Sequence, residues 1–240
     1  MTQPAAHSPA PAPPVAAGLA AHDLVKTYAG SGGPPALAGV RLLVRPGEAV
    51  AVMGPSGSGK TTLLHVLAGI LTPDTGLVTL DGHPVSDASD GTRTRLRRDT
   101  FGFVFQSGQL LPELPALENV ALPLMLAGVD RRTAQARAAE LFAPLGLAGL
   151  ERRRPGELSG GQAQRVAIAR ALVGRPRVVF ADEPTGALDQ RTGAEVMHHL
   201  TALTGTLGAS LLLVTHDQHV AAWCHRTLHM QDGHIVRETR

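Results

Sequence analysis

The chain has 240 residues, 43% of them hydrophobic, enough to bury the core of one domain or of one domain with a modest insertion. Its 22 basic and 20 acidic residues leave a net charge of +2, and the densest basic stretches, 93–98 and 152–154, read as solvated faces too short to track a nucleic-acid backbone. Cys224 is the sole cysteine, which excludes an internal disulfide, and no apolar run approaches the roughly 18 residues of a membrane helix, so any membrane association is peripheral or through a partner.

Residues 1–18 are rich in Ala and Pro, lack the charged start of a signal peptide, and read as a disordered tail. Short strands follow at 24–28 and 40–44, on either side of a Gly/Pro loop at 30–35. Tyr28, the only tyrosine, reads either as a half-buried strand residue or as an aromatic that stacks on a base. The turn Arg45-Pro46-Gly47-Glu48 delivers the chain into Ala49-Val50-Ala51-Val52-Met53, an unbroken apolar run expected to be a buried parallel strand. Next comes Gly54-Pro55-Ser56-Gly57-Ser58-Gly59-Lys60-Thr61, which fits the pattern Gly-x4-Gly-Lys-Ser/Thr, and then a helix marked by Leu63, Leu64, Leu67, Ala68 and Leu71. Glycines let successive backbone N–H groups turn inward around a phosphate, and the helix opening at Gly59 adds its positive end. Lys60 is expected to reach the β and γ phosphates and the Thr61 hydroxyl to ligate Mg²⁺.

Residues 76–82 alternate and end in Asp81-Gly82, a hairpin signal, and a polar, Arg-rich segment follows. Residues 101–106 form a second buried strand, ending on Gln106 where ligands of open α/β sheets lie. From about residue 110 to 158 the pattern turns helical, as at 133–142, with prolines at 112, 115, 123, 144 and 155 and no strand. The apolar stretch 110–120 reads as an exposed surface for a partner helix. Ser159-Gly160-Gly161-Gln162 then opens another helix. Ser159 and Gln162 fit a capping box, while two glycines with bare N–H groups fit a second phosphate site, and both readings stand. Residues 177–183 form a strand ending in Asp182 and Glu183, where one acid can hold Mg²⁺ while its neighbour orients the attacking water. A helix with the stripe Val196, Leu200, Leu203 and Leu207 begins at Asp189, and strand 211–214 brings His216 to the same edge as Gln106 and Glu183. The remaining histidines keep no metal-ligand spacing, and 228–236 closes the chain as a hairpin around Asp232-Gly233.

Taken together, these residues resemble the nucleotide-binding subunit of ATP-binding cassette transporters over about residues 19–238. Tyr28 matches the adenine-stacking aromatic, residues 54–61 with Thr62 the Walker A loop, Gln106 the Q-loop glutamine, and residues 158–162 the signature. Asp182 and Glu183 match the Walker B pair, Ala187-Leu188-Asp189 the D-loop, and His216 the switch histidine. Residues 103–106, 117–124 and 181–189 look like the lipoprotein-release and macrolide-efflux branch. Ala163 departs from the long polar residue common at its position, and the leader is unusual.

The resemblance implies an α/β fold: a P-loop NTPase (RecA-like) core with an antiparallel β subdomain and an α-helical subdomain inserted at about 107–157, all within one domain of residues 19–240. It implies ATP and Mg²⁺ as cofactors, with Thr61, Gln106 and Asp182 toward the metal and Glu183, His216, Gln106 and Lys60 in catalysis. Ser159, Gly160, Gly161, Gln162 and Asp189 would serve the ATP of a second copy in a head-to-tail homodimer. The further partner would be an integral-membrane permease, met at the cytoplasmic face of the cell membrane, with no nucleic acid involved. A soluble cassette ATPase acting on nucleic acid or ribosomes is the alternative, though the long coiled coils or fused second cassette of such proteins are missing.

Overall fold

The computed structural model describes residues 17–28 and 33–240; most of the leader (1–16) and residues 29–32, which include the first half of the loop at 30–35, lie outside the described residues. Gly18, the last residue of the expected tail, is already anchored, its N–H donating to Asp81 Oδ1 at 2.7 Å. In chain order the elements are β1 (Leu19–Lys26), β2 (Leu37–Val44), β3 (Ala49–Met53), α1 (Lys60–Leu67), β4 (Thr75–Leu80), β5 (His83–Pro84), α2 (Asp90–Asp99) and β6 (Phe101–Phe105). They continue with α3 (Ala116–Leu126), α4 (Arg131–Ala139), α5 (Gly160–Leu172), β7 (Val178–Asp182), α6 (Gln190–Leu207), β8 (Ser210–Thr215), α7 (Gln218–Ala221), β9 (Arg226–Gln231) and β10 (His234–Thr239).

Unbroken apolar runs make the centre of the larger sheet. Its order is β10-β9-β3-β8-β7-β6, parallel from β9 to β6 and antiparallel only at the β10 edge. Every residue of β3 and β8 is buried, as a strand covered on both faces requires. Successive side chains of β3 leave on opposite faces. Ala49, Ala51 and Met53 join a core with α3, α5 and α6, whereas Val50 and Val52 pack toward α1 and the second sheet. Met53 pairs with Thr215, Val214 with Asp182, and Asp182 with Phe105. This register lines up the carboxyl ends of β3, β8, β7 and β6 on one edge, and Gly54, His216, Glu183 and Gln106 follow directly.

The second sheet, β2-β1-β4-β5, is antiparallel. Its first strand begins at Leu19, five residues before the expected start, because polar His22 and Asp23 sit at a register shift that hides the buried Leu19, Ala20 and Ala21. It also ends at Lys26, so Tyr28 lies beyond the strand rather than within it. The Arg-rich segment is helix α2, capped by Ser89 and with no buried residue, so it lacks the apolar stripe by which a helix is read.

The expectation of an exposed apolar face over 110–120 is corrected: Ala116 and Val120 are fully buried, and of this stretch Leu111 alone among the large apolar residues is strongly exposed. Asn119 holds the turn onto α3, accepting from Leu111 N–H at 2.7 Å and donating to the Leu111 and Leu114 carbonyls. Exposed apolar surface lies instead at the end of α3, on Met125 and Leu126. Among the described residues no helix is long and apolar enough to cross a membrane.

A charged clasp closes the far side of the sheet. Arg226, on β9, is 8% exposed and reaches Glu48 Oε1 at 2.8 Å and Glu238 Oε2 at 3.2 Å. Burial alone would raise the Glu48 pKa, but hydrogen bonds from Arg226 and from the Arg45 N–H bring it below the ordinary glutamate range. A carboxyl group depressed on folding contributes stability above its unfolded pKa of about 4.3, and that contribution fades as pH falls through the lower folded value. Unfolding free energy measured against pH should therefore drop below about pH 4.5, and Glu48→Gln should flatten that limb while lowering the neutral-pH plateau.

Candidate active site

The glycine loop between β3 and α1 is shaped by two close approaches. A Cβ on Gly54 would lie 2.2 Å from the Met230 carbonyl oxygen, and one on Gly59 would lie 2.1 Å from that of Ala36. Gly59 also takes φ 98° and opens α1 with no side chain capping the first N–H groups, which leaves them and the helix dipole for an anion. Beside it is a cavity of about 760 Å³ lined by Ser56, Gly57, Gly59, Lys60, Thr61 and Thr62 on one side. Asp182, Glu183 and His216 line the other side, with Tyr28 beside them. Tyr28 keeps 45% of its surface exposed and its hydroxyl lies 3.1 Å from Thr62 Oγ1, so its ring is held in the cavity wall.

Lys60 is 9% exposed and its ammonium donates to the Gly54 and Pro55 carbonyls, each at 2.8 Å. Neutral carbonyls leave the positive charge available to an incoming phosphate. These contacts account for Gly54 and Pro55, which do not line the cavity themselves. Ser58 is likewise behind the loop, with its hydroxyl buried.

Asp182 and Thr61 face each other across the cavity floor. Burial raises the Asp182 pKa, and a hydrogen bond from the Thr61 side chain opposes it. A half-buried carboxylate and a hydroxyl lining one cavity are hard oxygen donors, and they fit Mg²⁺.

Glu183, the residue after β7, turns with φ 47°, a left-handed conformation that costs a non-glycine residue about 1–2 kcal/mol. The turn sends its carboxylate away from Asp182 and toward β8, where Oε1 lies 2.7 Å from His216 Nδ1 and Oε2 lies 3.3 Å from the Thr215 hydroxyl. Thr215 is a contact that sequence reasoning missed. It was visible at the strand end beside His216, but nothing in its residue type told it from a core threonine.

Three expected groups stand outside this cavity. Gln106 is exposed at the end of β6, its amide resting against Gly186, where a Cβ would come within 2.9 Å of Nε2. Ser159 and Gln162 form both halves of the capping box, at 3.3 and 2.9 Å, while Ser159 and Gly160 remain exposed. Gly161 has a packing reason as well, since a Cβ there would meet Thr192 Cγ2 at 2.4 Å. Asp189 caps α6, accepting from Thr192 N–H and hydroxyl, and these bonds hold its carboxyl below the usual range. One copy of the chain thus gathers the loop, the acids and the histidine, and presents the serine-glycine helix start elsewhere on its surface.

Residues 37–186 match the family model described as ABC transporter. The chain is 47% identical over 218 residues to lipoprotein-releasing system ATP-binding protein LolD 2 of Caulobacter vibrioides, covering 90% of this chain and 96% of that protein. It is 45% identical to the corresponding LolD of Bordetella pertussis, over 90% of this chain and 94% of that one. Among solved structures, the dimeric post-hydrolysis state of the ATP-binding cassette MJ0796 bound to ADP and Pi superposes with a TM-score of 0.84 at 40% identity, over 92% of this chain and 98% of the other.

Proposed function

The chain belongs to the ABC transporter family as one of its ATP-binding, ATP-hydrolysing subunits, and from that premise we propose that it closes head-to-tail with a second copy around two ATP molecules to drive a permease that extrudes lipoprotein-type cargo. The observation that carries this reading is the divided site. The cavity holds Lys60, Glu183 and His216 but none of Ser159, Gly160, Gly161, Gln162 and Asp189, so a second copy is what would complete it. Cargo is argued from the relatives, which are named as parts of lipoprotein-releasing systems.

In this reading residues 19–240 form one nucleotide-binding domain, with the helical subdomain at about 107–157. Lys60 leaves the loop carbonyls for the β and γ phosphates. Thr61 and Asp182 would hold Mg²⁺, with Gln106 added once its loop swings from Gly186, and the metal when bound neutralises phosphate charge. Glu183, aimed by His216 and Thr215, orients the attacking water and receives its proton. His216, with its side chain 72% exposed, is free to turn toward the γ-phosphate as the site closes.

The permease would dock at the cytoplasmic face, in a cleft of about 570 Å³ between β6 and α3. Phe101, Phe103, Phe105 and Leu122 form its apolar floor, and Ile70 and Leu126 stand exposed at its edge. A short helix from a membrane subunit fits that shape, and the loop of Gln106 lies at its end.

The reading is tested by isolating the chain from its native membranes. A multi-span subunit should accompany it, Leu126→Asp should release that subunit, and chelation by EDTA should silence ATP hydrolysis by the complex. No accompanying membrane protein, with ATPase activity indifferent to membranes, would favour the soluble alternative, and metal-independent hydrolysis would remove the Mg²⁺ assignment.

A further inference from the structure

Gln106 and Ser159 belong to different nucleotides in the proposed dimer, yet within one copy they are tied together. The last residue of β6 and the loop that follows it are bound at two points to the face of α5 formed by Gln164, Ala167, Arg170 and Ala171. Gln164, 3% exposed, donates from Nε2 to the Phe105 carbonyl at 2.9 Å. Arg170 donates from Nη1 to the Gln109 carbonyl at 2.7 Å and from Nη2 to the Gly108 carbonyl at 2.6 Å. Gly108, at φ 68°, turns the loop back so that a Cβ would lie 3.3 Å from Gln164 Oε1 and 3.5 Å from the Ala167 Cβ.

Gln106 therefore lies between its two anchors. The guanidinium fork suits two neighbouring carbonyls in a way a lysine ammonium does not. Arg170 is half-buried, and burial lowers its pKa with no charged partner among the described residues offsetting it.

We infer that Gln164 and Arg170 are positioning residues that lash the Gln106 loop to the signature helix, so that a shift of Gln106 at one nucleotide moves Ser159 at the other. The helix carries the motion rigidly: Ser159 caps its first turn and Arg170 lies eleven residues on, about 16 Å along the axis. The inference rests on the head-to-tail reading above.

The test uses the full chain with Glu183→Gln added to block hydrolysis, comparing Gln164→Met and Arg170→Lys with their parent. Monomer affinity is measured with a fluorescent ATP analogue and dimer formation by light scattering against ATP concentration. Monomer affinity should stay within about twofold, while the ATP concentration for half-dimerisation rises about tenfold in each variant. A residue that merely stabilises the fold would lower the melting temperature without separating these two readouts. Folded variants that dimerise at the parent's ATP concentration overturn the inference. Ser159→Arg serves as control: if it leaves dimerisation unchanged, the head-to-tail reading fails and the inference with it, whereas if it blocks dimerisation and the two variants do not shift it, the lashing alone is wrong.

Discussion

Glu183→Gln should lower ATP turnover by about 10²–10⁴ while leaving nucleotide binding intact and trapping the ATP-loaded dimer. The substitution keeps the size and the turn of the side chain, and an amide still meets Thr215 and His216. What it removes is the carboxylate that, in the proposed role, takes a proton from water. Asp182 is not placed to replace it, because its carboxyl is engaged by the Thr61 side chain at the α1 side of the cavity. Because Glu183 turns out of the strand at φ 47°, the two acids also face different partners: Asp182 toward α1 through Thr61, Glu183 toward β8 through Thr215 and His216. Single-turnover hydrolysis and light scattering check both halves of the expectation. Turnover within a few-fold of wild type would remove Glu183 from its role, and loss of ATP binding would show that its carboxylate serves the fold instead.

The residues that build this cavity were legible because each is forced by local physics. The apolar run 49–53 has no polar alternation and can only be a covered strand, and the glycines after it sit where a Cβ would strike the Met230 and Ala36 carbonyls. The strand-end acids and His216 followed, since parallel strands deliver their carboxyl ends to one edge. What stayed hidden lacked a local signal. The start of β1 is masked by the polar pair His22 and Asp23, and α2 has no buried side to betray it. The exposed apolar surface was misplaced because burial of Ala116 and Val120 is decided by the neighbouring α4 and by α5, which lies far along the chain. Gln164 and Arg170 are plain polar residues on a helix until the fold sets the 105–109 loop against them. Ser159-Gly160-Gly161-Gln162 was read two ways, and the capping box is now seen in full, with exposed N–H-bearing glycine at its mouth.

Lys60→Ala should weaken ATP binding by about 10- to 100-fold, the loss expected when one or two charge-assisted hydrogen bonds to phosphate disappear. Its effect on the empty protein should be small, and the contrast is the informative part. Without nucleotide, removing Lys60 strips a hydrogen bond from each of the Gly54 and Pro55 carbonyls but also relieves the cost of holding an ammonium at 9% exposure, two effects of opposite sign. The melting temperature of the variant alone should therefore stay close to wild type, while the upward shift that saturating ATP gives the wild-type protein should be largely lost at the same ligand concentration. An unchanged dissociation constant would mean that the loop N–H groups and the α1 dipole bind the phosphates alone, with the lysine parked permanently on its own carbonyls. A collapse of the unliganded melting temperature would mean that Lys60 is a strut of the loop and not a ligand waiting to be drawn away from it.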